Sequence, residues 1–592
     1  MAFVFWELHV NHGWPTVPAI IVVVFILAPL FGALIERVLM RGLAGAPATT
    51  TMVVTVGLMV ALMGVALSLW NPQEPRQMPR FFGLSGFGLG GVRVSWHDAI
   101  TMIVAVAIAL GLRLLLFRTR IGTAMRAVVD DRSLVSLNGG RPQWISMLSW
   151  AIGASTAAMA GILLAPVLSL DVLVLTLLVV NAYAAALVGR LTSLPLTFIG
   201  AMGLGLFSSY AQYLGVKVSS LSSLMADISP SVPTIMLFVV LLLMPEGRLR
   251  TARLAAGKTP RVPGLLESVG GSIGFVIVVA IATQFLSGAD RVHVGEGLAL
   301  ALIMLSLVLL FGYGGQASLC QMTFAGLGAY AAASFGNGSL LGLVLAVVIA
   351  APIGALVASF AMRLQGLYLA LATMAFAVLM DNLVFTRLFG AFGSKDVTRL
   401  HTPFFAFNSD KAYLVLLAIA FGLVAIFILA LRRGRFGRRL SAMRDSPAAS
   451  TMLGMNIPRT KLTVFTVSAA LAGFAGALFG GLHQAAGPTE FIMFQSLPLL
   501  LILVATGVTS VSGALVGGLA FAYLPVILPT KTIAGFVFIA AGLGAITISR
   551  NPNGAIYRLF EQLSRIAVWR KRDGDGQVPD AIPQEVAGVG AA

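Results

Sequence analysis

The chain has 592 residues, of which 58% are hydrophobic and 10% charged, with a mean hydropathy of +0.95. A soluble domain carries about 25% charged residues, so the composition excludes a soluble globular protein and implies a polytopic membrane protein. The net charge of +17 does not call for nucleic acid, because Arg and Lys cluster at 113–141, 248–261, 432–461 and 550–572, between apolar spans or after the last. Short basic loops of that kind mark the cytoplasmic side.

The first fifteen residues hold Glu7, two histidines and Pro15 with no basic lead, which is not a cleavable signal peptide. Runs approaching the roughly 20 apolar residues of a membrane span then follow near 17–35, 50–70, 98–117, 144–166, 170–189, 194–215 and 232–245. A second series lies near 270–287, 296–313, 318–336, 338–362, 366–389, 412–431, 461–483, 491–508, 512–529 and 532–549. The expectation is an all-α polytopic membrane protein of about 17 transmembrane helices in two bundles. The pattern divides into a first half (1–247), a cytoplasmic linker (248–268), a second half (269–550) and a cytoplasmic, partly disordered tail (551–592). Small residues spaced as in Gly473-Phe474-Ala475-Gly476-Ala477 predict close helix packing. Cys320 is the single cysteine and the six histidines show no ligand spacing, so no metal site or disulfide is expected.

One basic loop is written twice. Gly122, Ala127, Asp130 and Gly139 recur as Gly437, Ala442, Asp445 and Gly454, each 315 residues on (437 minus 122), and Ala160-Gly161 recurs as Ala475-Gly476. Both copies are basic and therefore cytoplasmic, so the halves are parallel, related by an axis along the membrane normal. Such a pair makes a pathway at its mutual interface. Each loop reads as a helix with a small-residue face, 122–138 in the first copy, stopped by a glycine in the left-handed conformation. Arg126 and Asp130, or Arg444 and Asp445, would fix the orientation of a docked partner. An ordinary positive-inside loop would explain the arginines but not their repeated order.

The segment 312–330 interleaves glycines with Gln316, Ser318, Gln321 and Thr323. Broken, glycine-rich helices are tolerated in membranes where their backbone lines a cavity, and a zwitterionic substrate needs such donors and acceptors. Tight packing is the alternative use of those glycines. Asp171 and Asp381 lie in or near apolar spans, where an ionisable residue is a functional candidate. Arg76, Arg80, Arg93, Lys395 and Arg399 lie in the stretches 71–97 and 390–411, expected on the periplasmic side. They offer a docking surface for an acidic partner or a merely solvated one.

The repeated loops resemble the coupling loops of ABC importer permeases, specifically the branched-chain amino-acid family. The first half resembles the H-type permease through Glu36-Arg37-Val38-Leu39, the loop at 118–143, Ser193-Leu194-Pro195, Gly200 and Leu243-Met244-Pro245-Glu246-Gly247. The second resembles the M-type permease through Gly312-Tyr313-Gly314-Gly315-Gln316-Ala317-Ser318-Leu319, then Phe324 to Tyr330, Thr373-Met374-Ala375-Phe376, Phe436-Gly437 and Leu453-Gly454-Met455-Asn456. It departs where that family has Gly-His and this chain has Cys320-Gln321.

The resemblance implies a fused permease in a bacterial inner membrane, itself no enzyme. Two separate cytoplasmic ATPases would bind ATP and Mg and dock on Gly122, Arg126, Ala127, Asp130 and Gly139, and on Gly437, Ala442, Arg444, Asp445 and Gly454. A periplasmic binding protein would deliver the amino acid to a pathway of Gly315, Gln316, Ser318, Gln321, Phe324, Tyr330 and Thr373. Urea, amides or aromatic acids are alternative substrates; an ion-coupled secondary transporter or a membrane assembly factor is an alternative class. The chain supplies no ATPase of its own: Ala256-Gly257-Lys258-Thr259 lacks the phosphate-loop glycine, Ala standing at 252. The offset of 315 maps Gly315 to position 0, so the expectation is that about 50 residues precede Met1 in the natural protein.

Overall fold

The structure, a computed structural model, describes residues 1–43, 46, 48–71, 74, 76–83, 85–218, 222–243, 264–362, 364, 366–390, 393–401, 407–527 and 533–548. The tail at 551–592, most of the linker at 248–268 and the segment 256–259 lie outside the described residues.

The first half runs α1 (Ala2–Trp6), α2 (Thr16–Leu43), α3 (Ala48–Leu69), a hairpin of β1 (Gly86–Leu89) and β2 (Val92–Ser95), α4 (Trp96–Arg118), α5 (Arg120–Asp130), α6 (Arg132–Leu137), α7 (Pro142–Leu168), α8 (Val172–Val188), α9 (Leu194–Lys217) and α10 (Ser222–Leu243). The second half opens with α11 (Leu265–Phe285) and α12 (Gly288–Tyr313), then α13 (Gln321–Ala331), α14 (Leu340–Ala361) and α15 (Tyr368–Leu388). It continues with β3 (Lys395–Asp396), α16 (Asp410–Arg433), α17 (Arg435–Asp445), α18 (Pro447–Met452), α19 (Ile457–His483), β4 (Ala485–Ala486), α20 (Met493–Thr506), α21 (Val511–Ile527) and α22 (Ile533–Ile548).

All seventeen predicted runs fall on helices. Among the described residues twelve helices are long and apolar enough to cross a membrane; the other runs coincide with α8, α10, α13, α21 and α22. The chain is a polytopic all-α membrane protein. From α1 to α10, each helix has a counterpart twelve helices on, α13 to α22. Polar side chains start the helices at their orphan N–H groups. Ser95 Oγ accepts from Asp98 N at 3.1 Å, and Asn456 Oδ1 accepts from Arg459 N at 3.0 Å. Asp171 belongs to this class, since Oδ1 accepts from Leu173 N and Val174 N at the start of α8.

The halves join by exchange. α3 packs on α22, and its counterpart α15 packs on α10, the counterpart of α22. Reciprocal packing of this kind is what two copies related by a twofold axis produce. Glycines carry the α3–α22 contact. A Cβ on Gly64 would fall on the Gly535 carbonyl, and one on Gly542 would lie 2.6 Å from Ala61 Cβ and strike the Gly57 carbonyl. With no hydrophobic drive between helices in lipid, such backbone proximity supplies the attraction.

The main core centres on α12, α13 and α19 and reaches across to Val60, Ala184 and Leu237 of the first half. A smaller core joins Phe3 and Phe5 of α1 to α2 and α7. Gly161 there faces Ala2, as Gly476 faces Ala325 in the second half. The predicted small-residue stripe of α19 packs against α13 in this way. Helix α1, which runs on as a widened turn over Glu7–Asn11, lies outside the expected runs because Glu7, His9 and Asn11 interrupt its apolar pattern.

Candidate functional site

The residues singled out in the sequence fall mainly in two regions: the repeated loops and the helix break before α13. In each loop the expected single helix is two, a correction to the reading of 122–138. α5 stops at Asp131 (φ −151°, ψ 107°) and α17 at Ser446 (φ −152°, ψ 94°), both extended. The same residues then start α6 and α18. Asp131 Oδ1 accepts from Ser133 N at 2.8 Å, and Ser446 Oγ accepts from Ala449 N at 3.3 Å. Pro447 at the first position of α18 has no N–H to satisfy.

The final glycines adopt the left-handed conformation, Gly139 at φ +78° and Gly454 at φ +79°. Gly122 and Gly437 serve a different end. A Cβ there would strike the carbonyl of Leu115 or Arg432, so each lets the loop helix fold tightly under its preceding span. They shape the loop, whereas Arg126, Asp130, Ala442 and Asp445 are exposed and Ala127 is half-buried. Arg126 also lies 4.9 Å over the Phe117 ring. At the loop tips Leu137 is 83% exposed, Met452 90% and Leu453 87%. Both loops thus present an open apolar side chain at the tip.

Helix α12 ends in a widened turn at Val308–Tyr313, the chain crosses 314–320 without regular structure, and α13 begins at Gln321. Side chains from three other helices satisfy the freed backbone, as lipid surroundings require. Leu319 N donates to Thr373 Oγ1 (3.1 Å, from α15), and Met322 N to Ser496 Oγ (3.1 Å, from α20). Gln321 Nε2 donates to Ser468 Oγ of α19 at 3.0 Å, and that hydroxyl donates to the Ser306 carbonyl at 2.8 Å. Ser318 Oγ lies 3.3 Å from Cys320 Sγ.

Four buried polar atoms around this segment and on α15 are without a hydrogen-bond partner: Gln316 Nε2, Gln321 Oε1, Thr323 Oγ1 and Asp381 Oδ1. The other carboxylate oxygen of Asp381 accepts from Met493 N at 2.7 Å, at the start of α20. Thus Ser318, Gln321 and Thr373 belong to one polar layer, and Gln316 is buried in the segment that leads into it. Phe324 is fully buried between Phe376 and Phe465, with ring centroids at 6.0 and 6.1 Å. Tyr330, at the far end of α13, meets Phe389 and the Lys395 ammonium (4.5 Å over its ring). Phe324 thus lies beside the polar layer, its ring partners one turn from Thr373 and Ser468, whereas Tyr330 is more than two turns along α13 from it. Ser306, Ser468 and Ser496 join it without any signal in their own segments, where a serine among small residues reads as packing.

The two regions touch. Arg444 of α17 donates from Nη1 to the Gly312 carbonyl at 2.9 Å. Gly315 has φ +65°, and a Cβ there would lie 2.9 Å from Arg444 Cγ. Arg432 stacks 4.7 Å over the Tyr313 ring. At the same offset the first half has Val129 and Phe117 in place of Arg444 and Arg432, and Val129 is 86% exposed. Among the described residues it is the second loop that is tied to this break. Of the expected outer-face charges, Arg76 pairs with Glu74 at 2.8 Å, Arg399 with Asp410 at 2.6 Å, and Lys395 Nζ donates to Ser334 Oγ at 3.0 Å. Arg80 and Arg93 are exposed.

The family model described as "Branched-chain amino acid transport system / permease component" matches this chain twice, over residues 1–245 and 294–541. The high-affinity branched-chain amino acid transport system permease protein LivM of Salmonella typhimurium is 29% identical over 270 residues, covering 40% of this chain and 63% of that protein. BraD of Pseudomonas aeruginosa, a permease protein of the same description, is 28% identical over 220 residues, 36% of this chain and 71% of its own. LivH of Escherichia coli is 26% identical over 246 residues, 40% of this chain and 76% of its own. The chain thus spans under two thirds of the LivM it matches. No solved structure matches it.

Proposed function

Because this chain belongs to the permease-component family of branched-chain amino acid transport systems, carrying it in two fused copies, we propose that it is the membrane pathway of an ATP-driven importer. The cargo is a branched-chain or related amino acid, and the setting is a bacterial inner membrane. One separate ATPase docks on α5–α6 and another on α17–α18, and these partners bind the ATP and Mg. A binding protein delivers cargo at the opposite face.

The observation that carries this reading is the pair of loops. Both have the same kink, the same left-handed terminal glycine and the same exposed apolar tip, at one constant offset. A loop needed only for topology has no use for such fidelity. Support for the pathway comes from the break before α13. Its orphaned polar atoms each cost about 1–3 kcal/mol if nothing ever engages them, and they suit the ammonium and carboxylate of a passing zwitterion. The Arg444–Gly312 bond gives α17 a direct pull on that break.

Proteoliposomes holding the chain, its ATPases and its binding protein test the proposal. They should accumulate labelled leucine when ATP is enclosed with the ATPases. Accumulation driven by a proton or sodium gradient without ATP would overturn it. Accumulation of urea or an aromatic acid in place of leucine would keep the machinery and reassign the cargo.

A further inference from the structure

We propose that the first half carries a binding site for an anionic phospholipid headgroup, in the groove between the end of α2 and the α6–α7 turn. The groove encloses about 790 Å³ and is lined by Arg37, Arg41, Arg132 and Arg141 with Trp144 and Ser136. Among the described residues, Arg41 has a carboxylate within ion-pair distance, Glu36 at 3.6 Å, and that carboxylate is fully buried. Arg41 Nε is itself buried without a hydrogen-bond partner. Asp131 Oδ1 caps α6 through Ser133 N and Leu134 N, one carboxylate at the edge of four guanidinium groups. Positive charge therefore prevails in a groove with room for a phosphodiester.

Its position selects lipid as the source of that phosphate. α2 is a membrane-spanning helix whose Leu30, Leu34 and Val38, four residues apart, are 63%, 56% and 63% exposed. In a bilayer this aliphatic stripe faces acyl chains, and it leads to Arg37 and Arg41 at the helix end. Trp144, 49% exposed, stands at the start of α7 on the same rim, where tryptophan favours the headgroup level. Basic pockets between membrane helices on the cytoplasmic side bind anionic headgroups by this combination. The lining is not repeated in the second half: at the offset of 315, Arg132, Arg141 and Trp144 become Pro447, Asn456 and Arg459. An occupant here would tie α2 to α7 beside one coupling loop.

The test needs neither ATPase nor cargo. The purified full chain in detergent is mixed with phosphatidylglycerol, phosphatidylcholine or inorganic phosphate, and retained lipid is counted by native mass spectrometry. Phosphatidylglycerol should be retained in preference to phosphatidylcholine, at about one tight copy per chain, and phosphate should not displace it. In the double variant Arg132→Ala/Arg141→Ala that retention should weaken about 30-fold, while Arg132→Lys/Arg141→Lys and the second-half control Arg459→Ala keep it. Equal retention of the two lipids by the native chain overturns the proposal without reference to any variant. So does displacement by phosphate, or a double variant that keeps its lipid preference.

Discussion

Arg444 is the residue that joins the second loop to the helix break before α13. It donates a charge-assisted bond to the Gly312 carbonyl at 2.9 Å, a class of bond worth about 1.5–3 kcal/mol. Arg444→Ala should lower cargo moved per ATP hydrolysed about tenfold while ATPase subunits stay bound, and Arg444→Lys should restore part of it. Val129→Ala, at the equivalent place in the first half, should change that ratio by less than about twofold, because surface substitutions away from such contacts are near neutral. Glycine at 315 is required twice over, by its left-handed backbone and by the Arg444 side chain beside it. Gly315→Val should cost about 2 kcal/mol or more in thermal unfolding. Gly139→Ala should cost about 1 kcal/mol, since only its backbone conformation objects and nothing lies within 4 Å. The repeated order of Gly139 and Gly454 exposed both glycines in the sequence. The Arg444 contact left no sequence trace, because it joins segments 132 residues apart.

At the scale of elements, apolar runs long enough to cross a bilayer were legible throughout, and every run became a helix. Length and composition dominate there, since lipid leaves a spanning backbone few alternatives to helix. The loops were legible as a repeat but not as paired helices. Asp131 and Ser446 read as interior residues of a helix when only small-residue spacing is counted, whereas their side chains cap the next segment. The distinction changes which residues face a partner: Gly122 and Gly437 are packed inward, and Ala442 faces out. Ala442→Glu should therefore abolish recovery of one ATPase subunit in pull-down while leaving the melting temperature within about 2 °C, as expected of a surface substitution. Ala127→Glu, at a half-buried position, should abolish recovery of the other subunit at a larger cost in melting temperature.

Across the whole molecule the two halves hold each other by exchanged helices, and the α3–α22 seam depends on Gly64, Gly535 and Gly542. Gly535→Leu inserts a side chain where Ser68 and the Gly64 carbonyl already stand. It should destabilise the full chain by about 1–3 kcal/mol in detergent unfolding, more than Gly111→Leu on the open face of α4, where nothing lies within 4 Å. Duplication was visible in sequence because the loops kept their spacing. The exchange was not, because glycines at a seam look like glycines anywhere in a membrane helix. The same symmetry frames a difference: at matching positions the second half has Arg444 and Arg432 where the first has Val129 and Phe117. ATP-dependent uptake in proteoliposomes with both ATPases, compared for the native chain, Ala127→Glu and Ala442→Glu, tests the central claim most directly. Either single substitution should abolish uptake with the chain still folded in the bilayer. Uptake that persists in both variants would contradict the assignment of α5–α6 and α17–α18 as coupling elements.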